Sequence, residues 1–99
     1  MSKAIVVRYQ AKPDRAEENQ SLIEAVFADL AERKPAGFSY KAFRLDDGVS
    51  FVHVVVEHDA ESPDSLQDVP AFQAFTAQIA DRCDVPPLAM GATLVGDYS

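Results

Sequence analysis

Phe51-Val52-His53-Val54-Val55-Val56-Glu57 decides the architecture. β-Branched and aromatic residues dominate it, so it reads as a β-strand. Its alternate positions make two faces, Val52, Val54 and Val56 on one and Phe51, His53, Val55 and Glu57 on the other. A strand apolar on both sides is covered on both sides, which makes this the central strand of a sheet. The turn before it, Asp46-Asp47-Gly48, joins it to a second strand, Phe38 to Leu45. A two-residue type I′ loop at Asp47-Gly48 needs positive φ at both positions, which Asp and Gly tolerate. That loop pairs Ala42 with His53, Arg44 with Phe51, Tyr40 with Val55 and Phe43 with Val52. Tyr40, Arg44, Phe51, His53 and Val55 then share a face, and Phe43 joins the three valines. A three-residue loop would slip the register by one and turn the second strand over.

Working outward, Ala4 to Gln10 carries Ile5, Val6, Val7 and Tyr9 and reads as a strand. Lys12-Pro13-Asp14 breaks it. Asp14 with Glu17 forms a capping-box pattern for a helix from about Asp14 to Lys34. Leu22, Ile23, Val26, Phe27 and Leu30 make its apolar stripe, with Glu24, Asp29 and Glu32 outward. Pro35 and Gly37 end it. His58 to Asp68 is a polar loop or single turn, tacked down by Leu66, and a lid over a pocket mouth is one role for it. Asp68 caps a second helix with Pro70 in its first turn. The spacing puts Phe72, Phe75, Ile79 and Cys83 on one helical stripe, terminated by Pro86-Pro87. Leu88 to Val95 is the last strand.

The order β-α-β-β-α-β predicts a ferredoxin-like α+β fold as a single domain over residues 1–99. Two split β-α-β units interleave into a four-stranded antiparallel sheet of order 4-1-3-2, both helices on one face. The helices are expected on the valine face. Nothing else in the chain covers the opposite face, so a second copy is expected to pack there, giving a homodimer through the sheet face.

Composition narrows the function. Nine basic against 16 acidic residues give a formal charge of −7, which disfavours nucleic acid and anionic membrane surfaces. The single cysteine permits no intrachain disulfide or cysteine-based zinc cluster and fits a reducing cytoplasm. The N-terminal apolar run is too short for a signal peptide, and no stretch is long enough to span a membrane. His53 and His58 point to opposite faces, and Glu57 lies too far along the strand to share an ion with His53, so no metal is expected. Cys83 near a helix C-terminus reads as a small buried hydrophobe rather than a thiolate. No nucleophile elbow, P-loop or dinucleotide fingerprint occurs.

The chain resembles the antibiotic-biosynthesis-monooxygenase-like (ABM) family of dimeric α+β barrels over nearly its whole length. The resemblance rests on the element order and on Pro35-Ala36-Gly37-Phe38 after the first helix. It rests equally on the aromatic second helix Pro70-Ala71-Phe72-Gln73-Ala74-Phe75 and the closing strand Ala92-Thr93-Leu94-Val95-Gly96. It implies a dimeric barrel and an oxygenase that works without a cofactor on a small aromatic, quinol-type or polyketide-like compound. Haem-degrading members of such families use an Asn, a Trp and a His. This chain has no Trp, its only Asn is Asn19, and its second helix has no His, so it departs from that pattern. No catalytic residue carries across by motif.

From the residues themselves, His53 is the candidate base or hydrogen-bond donor at a pocket wall, with Tyr40 and Arg44 nearby, and the fold is expected to leave a mostly apolar pocket between sheet and helices. A neutral imidazole takes a phenol proton near pH 7. Arg44 or Arg8 would stabilise the resulting anion, and an electron-rich carbanion reacts with dioxygen without flavin or metal. Tyr40, Phe51 and Val55 supply pocket walls. The competing reading is a His satisfied by cross-sheet or interface hydrogen bonds, in a non-catalytic dimeric module that binds a small ligand or only forms an interface.

Overall fold

The computed structural model describes residues 3–98. Four strands, β1 (Lys3–Ala11), β2 (Phe38–Arg44), β3 (Ser50–Glu57) and β4 (Cys83–Thr93), form one antiparallel sheet of order β2-β3-β1-β4. This is the expected order read from the other edge. Helices α1 (Ala16–Arg33) and α2 (Pro70–Ala77) pack together on one face.

The hairpin register is the predicted one. Ala42 opposes His53, Arg44 opposes Phe51, Tyr40 opposes Val55 and Phe43 opposes Val52. The turn differs from the expected type I′. Leu45 N–H donates to Ser50 O at 2.8 Å, so residues 46–49 form a four-residue loop. Only Gly48 has positive φ, at 80°. Asp47 instead holds the loop with its carboxylate, accepting from Val49 N (3.0 Å) and Ser50 N (2.8 Å). Widening the loop by one residue on each side preserves the register, which is why the pairing survives.

The two faces are reversed relative to expectation. The core contains Phe51, with Tyr9 and Phe75, and half-buried Val7, Tyr40, Ala42 and Val55 pack against it. The helices therefore cover the His53 face. Val52, Val54 and Val56 lie with Val6 and Phe43 on the side the helices leave open. The physical reason lies in α1, whose buried stripe contains Asn19 beside Ile23 and Val26. Asn19 on that stripe needs a buried polar partner, and it finds one in Tyr9 on the His53 face.

Local capping also differs. Pro13–Arg15 makes a 3-10 turn ahead of α1, and Asp14 forms no side-chain cap. Asp68 lies in a 3-10 turn, Leu66–Asp68, and Val69 is the N-cap of α2. The first turn of α2 is served from α1 instead, Ala71 N–H donating to Asp29 Oδ2 at 3.2 Å. Asp29 is thus half-buried and structural, not simply outward. Leu66 is buried and tacks its segment down as expected.

β4 begins at Cys83, well before Leu88, and runs through Pro86-Pro87. Prolines are tolerated because β4 is an edge strand, and the β1 pairing shifts register between Arg8 and Gln10 opposite them. Cys83 accordingly opens a strand rather than ending a helical stripe, after a 3-10 turn at Ile79–Arg82. Burial pushes its thiol pKa up, which keeps it protonated.

Gly37 is a close approach. Its φ is +94°, and a Cβ there would sit 2.5 Å from Ser62 Cβ. The acidic segment after β3 is bound to this turn. His58 N and Asp59 N donate to Gly37 O, Ser62 Oγ donates to Ala36 O, and Ala36 N donates to Asp64 Oδ2.

Candidate functional site

The site grows from the polar stripe of α1 meeting the aromatic face of the sheet. β1 and β3 place Tyr9 opposite Phe51 and Val7 opposite His53. Tyr9 stacks on Phe51 with centroids 5.5 Å apart, and His53 lies 5.3 Å from the Phe75 ring of α2. Within this aromatic packing runs a chain of hydrogen bonds. Arg82 Nε donates to Asn19 Oδ1 at 3.2 Å, and Asn19 Nδ2 donates to Tyr9 Oη at 2.8 Å. Tyr9 Oη bonds His53 Nε2 at 2.8 Å, and His53 Nδ1 bonds Tyr40 Oη at 2.6 Å. Asn19, Arg82, Tyr9 and His53 are 0–4% exposed. No described buried side-chain N or O lacks a partner. A buried polar network of this kind is tolerable because every member is satisfied.

Electrostatics keep the middle of the chain neutral. Burial lowers the His53 pKa to about 4, because desolvation penalises the imidazolium. Burial likewise raises both Tyr9 and Tyr40 well above the usual phenol range. At neutral pH the site is therefore an uncharged imidazole between two phenols. Arg82 is its one charge, bonded also to Phe75 O at 2.6 Å and lying over the Phe75 ring at 5.3 Å.

Tyr40 belongs both to this chain and to an open cleft. Phe27, Leu30, Ala31 and Lys34 of α1 and its end, with Pro35, Phe38 and Tyr40, line about 350 Å³ between α1 and β2. Phe27 stacks on Tyr40 with centroids 4.9 Å apart, and Phe72 meets it edge-on at 6.1 Å. Lys34, left-handed with φ 50°, is exposed at the rim. Among the described residues no carboxylate forms a salt bridge with it.

The sequence-predicted residues divide into three groups. His53, Tyr40, Phe51 and Val55 lie on the helix-covered face, and His53 bonds Tyr40 directly. Arg44 shares that face but is occupied elsewhere. Its Nε donates to Gly48 O, its Nη1 to Glu17 Oε1 and Gln20 Oε1, and its guanidinium lies 5.8 Å over Phe51. Arg8 is on the other side of the sheet, opposite Val52 and Leu88, where it edges a second groove of about 280 Å³. Arg8 and His53 are therefore separated by the sheet itself. His53 has both ring nitrogens engaged, so it has no free lone pair for a substrate proton. His58 lies apart and bonds Ser39 Oγ at 3.0 Å. No three His, Cys, Asp or Glu residues among those described are placed to share a metal ion.

Sequence reasoning did not single out Tyr9, Asn19 and Arg82. A signal existed for Asn19, which falls on the apolar stripe of α1 in step with Ile23 and Val26. A polar residue there demands a buried partner. Arg82 had no such signal, because its burial depends on how the turn after α2 meets α1.

No family model matches the chain, and no curated protein does. Solved structures of the same fold are numerous. Rv0793 of Mycobacterium tuberculosis superposes with a TM-score of 0.77 at 19% identity, covering 100% of both chains. SnoaB, a cofactor-independent oxygenase from Streptomyces nogalater, gives 0.70 at 17% identity, over 97% of this chain and 95% of its own. A Caulobacter crescentus protein assigned as an antibiotic biosynthesis monooxygenase gives 0.74 at 15% identity, over 96% and 91%. The fold is thus that of ABM-like structures, as the resemblance implied. No described helix is long and apolar enough to cross a membrane.

Proposed function

We propose that this chain is an ABM-like, cofactor-independent oxygenase of the cytoplasm that oxidises a small hydroxylated aromatic in the Tyr40 cleft, as a homodimer. One observation carries the reading. Tyr40, its hydroxyl held by a neutral buried His53, lines an apolar cleft whose rim lysine, Lys34, has no salt-bridge partner among the described residues. The cleft walls suit a flat aromatic, and Tyr40 and Lys34 favour its oxyanion.

The reaction needs no reductant beyond the substrate. A hydroanthracene-type phenol or enol loses its proton to water. The carbanion passes electrons to dioxygen and a carbon–oxygen bond forms, giving a hydroperoxide once a proton is taken up. The O–O bond then breaks, water leaves with the remaining ring hydrogen, and a CH₂ has become a carbonyl. The substrate gives up four electrons, and one oxygen atom ends in product and one in water. His53 acts here by positioning Tyr40 rather than as the base, because both of its nitrogens are bonded. Val55 pairs with Tyr40 across the strands, whereas Phe51 stacks on Tyr9 and borders the second groove.

The homodimer is supported by the open sheet face. Phe43, Leu88 and Met90 there are 50%, 59% and 64% exposed, next to Val6, Val52 and Val54. A contiguous apolar sheet surface of this kind marks an interaction site.

Oxygen uptake with a panel of hydroanthracenes and hydroquinones tests the proposal. Uptake by wild type that falls at least about tenfold in Tyr40→Phe supports it, the loss expected of one oxyanion donor. No uptake with any member of the panel rejects it. The second reading, a non-catalytic dimeric module binding a small ligand, is favoured by a partner for every described buried side-chain N and O, both His53 nitrogens included.

A further inference from the structure

The hydrogen-bond chain has a direction that its end groups dictate. Arginine only donates. Arg82 Nε–H therefore requires the Asn19 carbonyl oxygen, at 3.2 Å. With its oxygen turned to Arg82, Asn19 must present its amide N–H to Tyr9 Oη, at 2.8 Å. Tyr9 Oη accepts there, and its own hydrogen has one acceptor within reach, His53 Nε2 at 2.8 Å. A neutral imidazole carries a single N–H, which is then on Nδ1 and donates to Tyr40 Oη at 2.6 Å. The Tyr40 hydrogen is left with no acceptor among the described residues.

The reverse direction would strand the Tyr9 hydrogen instead. Tyr9 is 3% exposed, whereas Tyr40 is half-buried and borders the cleft. An unmet donor costs far more in the first place than in the second. Flipping the Asn19 amide would set two donors against each other at Arg82.

We infer that Arg82 and Asn19 are positioning residues that lock His53 in its Nδ1–H form and leave the Tyr40 hydroxyl as a hydrogen-bond donor reserved for the cleft's ligand. The ligand class follows from that donor. It carries an acceptor oxygen, as a phenolate, enolate or quinone carbonyl does, and an amine of the same shape binds less well. The ligand half rests on the cleft being the site proposed above. The tautomer half stands without it.

The test uses the full chain labelled with ¹⁵N-histidine. Two-bond ¹H–¹⁵N correlations at pH 7 are expected to show His53 protonated at Nδ1 and bare at Nε2. Asn19→Asp keeps the shape but only accepts, so Tyr9 turns its hydrogen toward the new carboxylate. His53 is then expected to carry its proton on Nε2. Arg82→Lys still only donates and is expected to retain the Nδ1–H form. An Nε2–H form in the wild type overturns the inference, as does an Asn19→Asp variant that folds and keeps Nδ1–H. The wild-type measurement decides the matter even if a variant fails to fold.

The second arm measures binding of 4-nitrophenolate and 4-nitroaniline. The phenolate is expected to bind at least about tenfold more tightly, as a charge-assisted hydrogen bond warrants, and that preference is expected to shrink in Tyr40→Phe and Asn19→Asp. Phenolate preference without oxygen uptake on the panel supports the inference and rejects the oxygenase. Expected tautomers with neither probe bound overturn the ligand half alone, and oxygen uptake on the panel separately decides the oxygenase. Equal binding of the two probes overturns the ligand half alone.

Discussion

The two faces of this sheet are built from the same strands and differ in what they ask of a partner. The helix-covered face is aromatic with a polar seam, Tyr9, Tyr40, Phe51 and His53. The open face is mainly apolar, running from Phe43 on β2 through Val52 and Val54 on β3 and Val6 on β1 to Leu88 and Met90 on β4, with Arg8 and Lys41 among them. Helices within the chain cover the first because its hydroxyls and imidazole need Asn19 and Arg82 at hydrogen-bond distance. The second has no buried polar seam to satisfy, so a flat, mostly apolar surface that leaves room for Arg8 and Lys41 can cover it. Apolarity alone is therefore a poor guide to which side of a sheet receives the helices.

The largest expected effect that separates the faces is core truncation. Phe51 is 1% exposed, and Phe51→Ala is expected to cost about 3–5 kcal/mol in denaturant unfolding. Phe43→Ala on the open face should cost far less in the isolated protomer. A similar loss at both positions would mean that the open face is covered just as firmly, by a second copy.

Acid sharpens the contrast next. The folded His53 pKa of about 4 lies below the ordinary value of 6.5. Between those values the unfolded chain binds more protons, so stability rises with pH across that window. It is lost as pH falls from 6.5 toward 4, by up to about 3 kcal/mol. The groups facing His53 are Tyr9 of β1, Tyr40 of β2 and Phe75 of α2, all uncharged at these pH values. Asp29 and Glu18, held below the usual carboxylate range by Arg33 and Arg15, add their own losses at lower pH. Unfolding curves from pH 4 to 7 are expected to show this slope in wild type and a flatter one in His53→Gln.

Removing one hydroxyl from the relay comes third. Tyr9→Phe leaves an Asn19 N–H and His53 Nε2 buried without a partner, for about 1–3 kcal/mol. A cost near zero would show the relay to be wet rather than sealed.

The smallest effect on folding, and the most informative about the open face, comes from Met90→Asp. At an exposed site its effect on protomer stability is within about 0.5 kcal/mol. Sedimentation equilibrium is expected to shift from dimer toward monomer. Unchanged mass, whether dimeric or monomeric in both proteins, would remove this face from the assembly.

Legibility in the sequence follows interaction range. Strand alternation around Phe51–Glu57, the stripe of α1 and the Asp47-Gly48 turn are local patterns, and from them came the element order, the strand order and the hairpin register. Register survived a wider turn because the loop grew symmetrically about the same centre. α2 is shorter than its apolar stripe predicts, and Pro86-Pro87 reads as a terminator although β4 runs through it. An edge position is a property of the assembled sheet, not of the dipeptide. Of the candidate site, His53 and Tyr40 were visible as polar groups on an apolar strand face and its register partner. Arg44 and Arg8 stand out in the sequence by charge alone, which says nothing about where a long side chain is spent. Asn19 and Arg82 are 63 positions apart and meet only once α1 and the turn after α2 are packed.

By itself, then, the chain determined what is set by periodicity and by backbone chemistry: four strands, two helices, their order, and two distinct sheet faces. The tertiary structure alone decided which face the helices take and which way the buried hydrogen bonds run. Those choices depend on matching donors to acceptors in three dimensions, and no local pattern carries that information.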